Sequence, residues 1–390
     1  MFMLRLAKLR HALLRVTSAV SLFFVSTLAF AEYGFNLQPP VTPIAREILN
    51  LHNAIMIVCA VIFVIVFGAM FYAVFAHRKS RGHKASDFDE STKVEIVWTV
   101  VPFLILVGMA IPSTATLLKM DDVTESDLTI KITGYQWKWH YEYMDKGVSF
   151  FSVLATPRDE IGRPMFSSTG FKAGDAKNAN YLLQVDKPLV LPVDQKIRFL
   201  VTTNDVLHAW WVPQIGIKKD GIPGFINQMW ARIEQPGTYR GQCAELCGKD
   251  HGFMPIVLDA VSEQDFNAWL EQEKAMMAAA AAGADREWAK AELLEKGKET
   301  YDKVCASCHQ PNGQGIAGVF PAIAGSKVAT GPLDEHLHLV MAGKPGTAMQ
   351  AFGPQLDDVA LAAVITYQRN AFGNNTGDLV QPSRIKALRK

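Results

Sequence analysis

The sequence carries almost no net charge: 39 Lys and Arg against 38 Asp and Glu leave +1. Such a balance lacks the basic footprint that nucleic-acid binding requires, so nucleic acid is not expected as a partner. Cysteine is also scarce, with five in 390 residues. Four fall in two tight pairs, Cys243/Cys247 and Cys305/Cys308, and Cys59 lies alone in an apolar run. This arrangement argues against a disulfide framework and for two cofactor sites plus a buried thiol. With Cys243/Cys247 set apart as a second site, no cysteine pair is left to complete a zinc site at Cys305/Cys308. No βαβ pattern supports a thioredoxin-like redox motif either.

What is abundant is apolar sequence, 49% of residues with a mean hydropathy of +0.10. Arg5, Lys8, Arg10, His11 and Arg15 precede an apolar stretch over 16–28, followed by Ala29-Phe30-Ala31. This order predicts a signal peptide over 1–31, cleaved after Ala31; an uncleaved anchor is the alternative, though the stretch is short for a bilayer span. Within 32–120, two runs at about 51–76 and 96–118 are long enough to cross the hydrocarbon, the second broken only by Pro102 and Pro112. The basic loop over 77–84 between them belongs on the cytoplasmic side, which predicts a multi-pass topology with both ends outside.

After Lys119 the texture changes to β-branched and aromatic residues with partial alternation, at 128–143, 181–203 and 206–214. That pattern predicts an all-β sandwich or Greek-key barrel over 121–270. Residues 271–290 are Ala-rich and charged, a composition compatible with partial helix, but they lack an apolar stripe and are expected to be a semi-rigid linker. Residues 291–372 show a helical start, a Gly/Pro-rich middle and a helical end, a small α domain whose core depends on a bound cofactor. Residues 373–390 are assigned to a tail.

The first chemical signature is Cys243-Ala244-Glu245-Leu246-Cys247, followed by His251 and Met254, with His208 upstream at the end of a strand-like run. Thiolate, thioether and imidazole together suit copper, and two thiolates on one loop can bridge two ions. A disulfide or a zinc site explains the cysteines but leaves Met254 and Glu245 without a purpose. The second signature is Cys305-Ala306-Ser307-Cys308-His309, the C-x-x-C-H of covalent c-type haem attachment, with His309 placed to ligate iron. A Met on the far side would complete a His/Met pair, and Met341 and Met349 are the candidates. Met349, in Gly346-Thr347-Ala348-Met349-Gln350-Ala351-Phe352-Gly353, looks like the ligand loop of class I cytochromes c.

From Asp205-Val206-Leu207-His208, through Lys219-Asp220-Gly221-Ile222-Pro223-Gly224 and Gly241-Gln242-Cys243, to His251-Gly252-Phe253-Met254-Pro255, the sequence resembles cytochrome c oxidase subunit II. The likeness covers about residues 35–270. It implies a multidomain chain: a two-helix transmembrane hairpin, an all-β cupredoxin-like Greek-key barrel and, fused behind it, a small all-α cytochrome c domain. It implies that His208, Cys243, Cys247, His251, Met254 and the Glu245 carbonyl hold a dinuclear copper centre, CuA. The Glu245 side chain would reach a magnesium ion shared with subunit I. Trp137, in Gly134-Tyr135-Gln136-Trp137-Lys138-Trp139, matches the residue where electrons come in, and Glu95 the acid at the mouth of a proton channel. Lys138 and His140 stand where the family often has Tyr and Ser. The implied place is the bacterial inner membrane, with the copper and haem domains periplasmic. The implied partners are subunit I, subunit III and an electron donor, either cytochrome c or a quinol–cytochrome c reductase.

The apolar runs hold no set of histidines for a haem–copper pair, so reduction of oxygen to water, coupled to proton translocation, would belong to subunit I. A nitrous oxide reductase would need a large His-rich domain, and a quinol oxidase subunit II would lack the copper ligands. A copper-delivery protein would have no use for the haem motif.

Overall fold

The computed structural model describes residue 34 and residues 36–82, 84, 89–157 and 180–389. The expected signal segment, 1–31, lies outside the described residues. The chain divides into Met1–Pro39 and Pro40–Lys390, and all elements below belong to the second unit.

Helix α1 spans Pro43–Ala76 and α2 spans Thr92–Asp121, both longer than their apolar runs. Thr42 starts α1 as a side-chain cap, its Oγ1 accepting from the Ala45 N–H at 3.0 Å, and Pro43 occupies the first turn where no donor is needed. Both helices are long and apolar enough to cross a membrane. Phe63, Ile65, Phe71, Trp98, Leu104 and Ile111 all lie exposed along them, a patch far larger than water tolerates on a folded protein.

Two five-stranded sheets follow. One has the order β3-β2-β1-β5-β8, built from β1 (Leu128–Tyr135), β2 (Lys138–Tyr143), β3 (Val148–Ser152), β5 (Ile197–Thr203) and β8 (Asn227–Ala231). The other has the order β4-β10-β9-β6-β7, from β4 (Leu189–Pro192), β6 (His208–Val212), β7 (Ile217–Gly221), β9 (Gly237–Cys243) and β10 (Pro255–Val261). The β1–β5 and β4–β10 pairs are parallel and the rest antiparallel. Side chains alternate as a two-sided sheet demands: Ile197, Phe199 and Val201 of β5 point inward, with Ile130 and Ile132 of β1 beside them. Trp139, Tyr141, Tyr143 and Trp210 fill the space between the sheets, each fully buried. Full burial of an aromatic side chain contributes on the order of 2–3 kcal/mol.

The barrel is held to the helical hairpin by polar contacts. Thr42 Oγ1 donates to the Ile215 carbonyl (2.9 Å) and the Trp230 indole N–H donates to the Lys119 carbonyl (2.9 Å), while Lys119 pairs with Glu47 (2.7 Å) between the two helices themselves. At this joint Gly216 has φ +73°, and a Cβ there would lie 2.7 Å from the Ala45 Cα.

Residues 271–283, expected as linker, continue helix α3 (Glu263–Gly283). Its first half is an amphipathic face: Phe266, Leu270 and Glu273 are buried, Phe266 in the barrel core. A second core follows, formed by α4 (Lys290–Val304), α5 (Ala306–His309), α6 (Lys327–Thr330), α7 (Leu333–Ala342), α8 (Asp358–Asn370) and α9 (Pro382–Leu388). Helices α4 and α8 cross closely at Gly297, where a Cβ would sit 2.1 Å from the Ala363 carbonyl oxygen. The stretch assigned to a tail closes this core instead, since Val380 and Ile385 are fully buried in it.

Candidate metal centres

Strand pairing brings the first set of donors together. The β6–β9 register places Trp210 opposite Cys243, so His208 at the start of β6 lies beside the end of β9. The antiparallel β9–β10 pair pairs Gln242 with Pro255, so Cys243 and Met254 face each other at its open end, with Cys243 N–H donating to the Met254 carbonyl (3.3 Å). The loop between them carries Cys247 and His251. It turns at Gly248, whose φ of +114° favours glycine and whose missing side chain leaves room for Trp137.

The donor atoms form one chain of contacts. His208 Nδ1 is 3.8 Å from Cys243 Sγ, the two sulfurs are 3.9 Å apart, and Cys247 Sγ is 3.5 Å from both His251 Nδ1 and Met254 Sδ. The Glu245 carbonyl lies 3.3 Å from Cys243 Sγ. His208, Cys243 and Cys247 are buried and their donor atoms lie within 4.8 Å of one another. Metal–thiolate bonds run at about 2.3 Å, so a metal ion can reach both sulfurs at once. Two soft sulfurs, two imidazoles and a thioether are the donor chemistry of copper, and the residues fit a dinuclear copper centre.

The imidazole of His208 is set by Asp205. Oδ1 of Asp205 accepts from His208 Nε2 (2.9 Å) and from the Val206 N–H (2.7 Å), while Oδ2 accepts from the Gln136 N–H (2.7 Å). A proton held on Nε2 leaves the Nδ1 lone pair facing Cys243. Burial works to lower the His208 pKa, but the Asp205 and Cys243 hydrogen bonds outweigh it and the net shift is upward. The hydrogen bond between the thiols pushes Cys243 below the ordinary thiol range; the same bond, with burial, pushes Cys247 above it.

Behind the donors, the Trp137 indole N–H (3.2 Å) and Gln136 Nε2 (2.9 Å) both donate to the Cys247 carbonyl. Trp137 is therefore attached to the loop and not only packed in the core. Gly134 is required nearby, because a Cβ there would stand 2.9 Å from His208 Cδ2. Glu95 is exposed in the first turn of α2, about 36 Å along an ideal helix from Lys119, so it is not part of this cluster.

In the α-helical domain, Cys308 N–H and His309 N–H both donate to the Cys305 carbonyl (3.2 and 3.0 Å), so a single helical turn carries both thiols and the imidazole. His309 Nδ1 lies 2.8 Å from the Pro321 carbonyl, an acceptor only, so Nδ1 holds the proton and Nε2 keeps its lone pair. Burial lowers the His309 pKa against the opposing Pro321 bond, which favours the neutral, ligating form. The buried Cys305 thiol is pushed up to about 12, first by burial. These residues fit covalent haem with a histidine iron ligand. Met341 and Met349 both pack against the domain core, but Met341 lines a cavity with Asp334, Leu337, His338 and Arg389. The loop after Met349 lies on the side of the cysteines: Lys138 Nζ sits 5.0 Å over the Phe352 ring, and the same side chain neighbours Cys305 and Cys308. Sequence reasoning assigned no role to Asp205, Gln136 or Pro321. Asp205, three residues before His208, offered a signal; the other two are brought in by tertiary contact alone.

A barrel behind two membrane-length helices, with two thiols in a cluster of potential metal donors and a helical domain carrying a haem-attachment motif, has the architecture of an electron-transfer subunit of the respiratory type. Residues 30–116 match the family model for the transmembrane domain of cytochrome c oxidase subunit II, and residues 128–261 match that for its periplasmic domain. Residues 292–367 match the model described as cytochrome c oxidase, cbb3-type, subunit III. A probable cytochrome c oxidase subunit 2 of Rickettsia bellii is 36% identical over 268 residues, spanning 67% of this chain and 94% of that protein. Cytochrome c oxidase subunit 2 of Cereibacter sphaeroides is 38% identical over 245 residues, 62% of this chain and 80% of that one. The crystal structure of the periplasmic domain of subunit II of cytochrome oxidase of Bradyrhizobium japonicum is 41% identical and covers 40% of this chain and 98% of its own, with a TM-score of 0.33. The chain belongs to the cytochrome c oxidase subunit II family, here with a cytochrome c-type domain fused at its C-terminal side.

Proposed function

We propose that this subunit II is the input arm of its oxidase, with both redox sites on one chain. His208, Cys243, Cys247, His251, Met254 and the Glu245 carbonyl would hold the copper pair; Cys305 and Cys308 would attach the haem, with His309 and Met349 as iron ligands. When bound, the two groups supply one-electron redox chemistry, accepting from cytochrome c or a quinol–cytochrome c reductase and donating to subunit I, where oxygen is reduced and protons are translocated. The chain's own residues do the rest. Asp205 and the Pro321 carbonyl fix the tautomers of His208 and His309. Gln136 and Trp137 hold the Cys247 carbonyl, so the loop keeps one shape through changes of charge. Burial of His208, Cys243, Cys247 and Met254 excludes water and its reorganisation cost at the copper donors.

Three finer points belong to the same reading. Helices α1 and α2 cross the inner membrane with the 77–91 segment cytoplasmic and the barrel periplasmic. The half-buried Glu245 side chain contributes to a magnesium site with subunit I, and subunit III completes the assembly. Trp137 sits where electrons enter the copper site and Glu95 at the mouth of a proton channel.

The observation that carries the proposal is the unbroken contact of five side-chain donors, 3.5–3.9 Å apart, around two buried thiols. Metal and haem analysis of the full-length chain in detergent tests it. Two coppers with a mixed-valence EPR signal and one covalent low-spin haem are expected, and Cys247→Ser should remove the copper signal alone. Copper that binds without electronic coupling, or haem lost together with copper in that variant, contradicts it.

A further inference from the structure

The loops that carry the two donor sets touch each other directly. Lys249, between Cys247 and His251, donates through Nζ to the Ser307 carbonyl (2.8 Å), between Cys305 and Cys308. On the other side, Gln350, next to Met349, donates through Nε2 to the Gln136 carbonyl (2.9 Å) and to Asp205 Oδ2 (3.0 Å). Its amide oxygen accepts from Gln355 Nε2 (3.2 Å), which also donates to the Ala351 carbonyl, so the amide is oriented from its own domain. With Gln350 in place, each Asp205 oxygen receives two hydrogen bonds, one of them on Oδ1 coming from His208. Only Gln350 and Asp205 stand between Met349 and His208 along this bonded path. The contact is also packed: Cys308 and Phe320 lie against the barrel core, and Lys138 is 4% exposed beneath Phe352 and Phe151.

We propose that Gln350 and Lys249 are positioning residues that latch the haem domain onto the copper rim of its own chain, making this docked arrangement the one competent for transfer between the two sites. It rests on the assignment of copper and haem to these loops. The latched domain covers the face around Gln136 and Trp137, so an external donor is received on the haem domain and not at Trp137. The two contacts act as a pair, because each fixes a different edge of the interface and neither alone prevents rotation about the other. A hydrogen bond to a carboxylate or from an ammonium is strong enough that losing either latch shifts the docked-to-undocked ratio about tenfold.

The test uses the full-length, metal-loaded chain in detergent as wild type, Gln350→Ala, Lys249→Met, the double variant, and Gln350→Glu. Two readouts are followed: the rate at which flash-reduced haem passes its electron on, and hydrogen–deuterium exchange of segment 135–139. In wild type the rate should not change with added sucrose, because no domain movement precedes transfer. In the double variant it should fall at least tenfold and become viscosity-dependent, while the haem spectrum and copper EPR signal stay unchanged and exchange at 135–139 rises. Gln350→Glu, which sets a carboxylate against Asp205, should slow transfer more than Gln350→Ala. A double variant with wild-type rate, no viscosity dependence and unchanged exchange overturns the latch. Loss of the copper or haem signature in wild type would instead overturn the site assignment.

Discussion

Replacing Asp205 by Asn removes one charge while keeping the shape, and the hydrogen bonds around it set the cost. Four donors converge on the carboxylate: Val206 N–H and His208 Nε2 on one oxygen, Gln136 N–H and Gln350 Nε2 on the other. An Asn side chain offers a single oxygen, so in either orientation its NH2 group confronts two of the donors. Each buried donor left unpaired costs about 1–3 kcal/mol, which puts Asp205→Asn at roughly 2–4 kcal/mol of local stability once partial relaxation is allowed. If the amide nitrogen faces His208, the imidazole must accept at Nε2 and move its proton to Nδ1, the atom that faces Cys243. Copper affinity should then fall by about 10–100-fold, the usual effect of losing the partner that orients a metal-bound histidine. Competition of the full-length chain against a copper chelator, read by the copper EPR signal, measures this. Asp220→Asn, an exposed acid paired with Lys218, is the control and should leave affinity unchanged. Wild-type affinity in Asp205→Asn would falsify the role given to Asp205.

Met349→Leu should shift the haem axial band and lower the haem potential, whereas Met341→Leu should leave both in place; optical redox titration separates them. Gly241→Ala places a Cβ 1.9 Å from the Trp211 carbonyl oxygen, a backbone atom that cannot step aside, so the β6–β9 pairing should loosen by about 3 kcal/mol or more, seen as faster amide exchange in β9. His336 is buried with its pKa lowered to about 4, first by burial and then by the Arg369 charge. The unfolded imidazole takes a proton near pH 6.5 and the folded one near 4, so stability is fully present above about 6.5 and is lost as pH falls toward 4, by about 3 kcal/mol in all. Amide exchange in α7 and α8 should accelerate across that window, and His336→Leu should flatten the dependence.

The parts of this molecule that follow from local pattern were legible in the sequence. Apolar runs marked α1 and α2, alternation marked the strands, and the Cys-Cys-His-Met spacing marked a loop whose donors need few others to meet. Segments with weak local pattern are less legible. The stripe of α3, Phe266-Leu270-Glu273, includes a glutamate and is followed by an alanine run, so no pattern marks where the helix ends, and residues 274–283 continue it with mostly exposed side chains. Val380 and Ile385 stand isolated among Gly, Asn and Pro, and only the assembled fold shows that they close a core. The contacts of Gln350 with Asp205 and Gln136 join residues 145 and 214 positions apart. No periodicity encodes such pairs, because their partner surfaces exist only after two domains have folded.

With both groups bound as proposed, one chain holds two coupled one-electron acceptors. Anaerobic titration of the isolated full-length chain with a soluble reductant, followed by haem absorbance and copper EPR, counts them directly. The chain should take up two electrons, one at each site, and Cys247→Ser should take up one, on the haem alone. A wild-type chain that accepts a single electron, or a Cys247→Ser chain that still accepts two, would contradict the account.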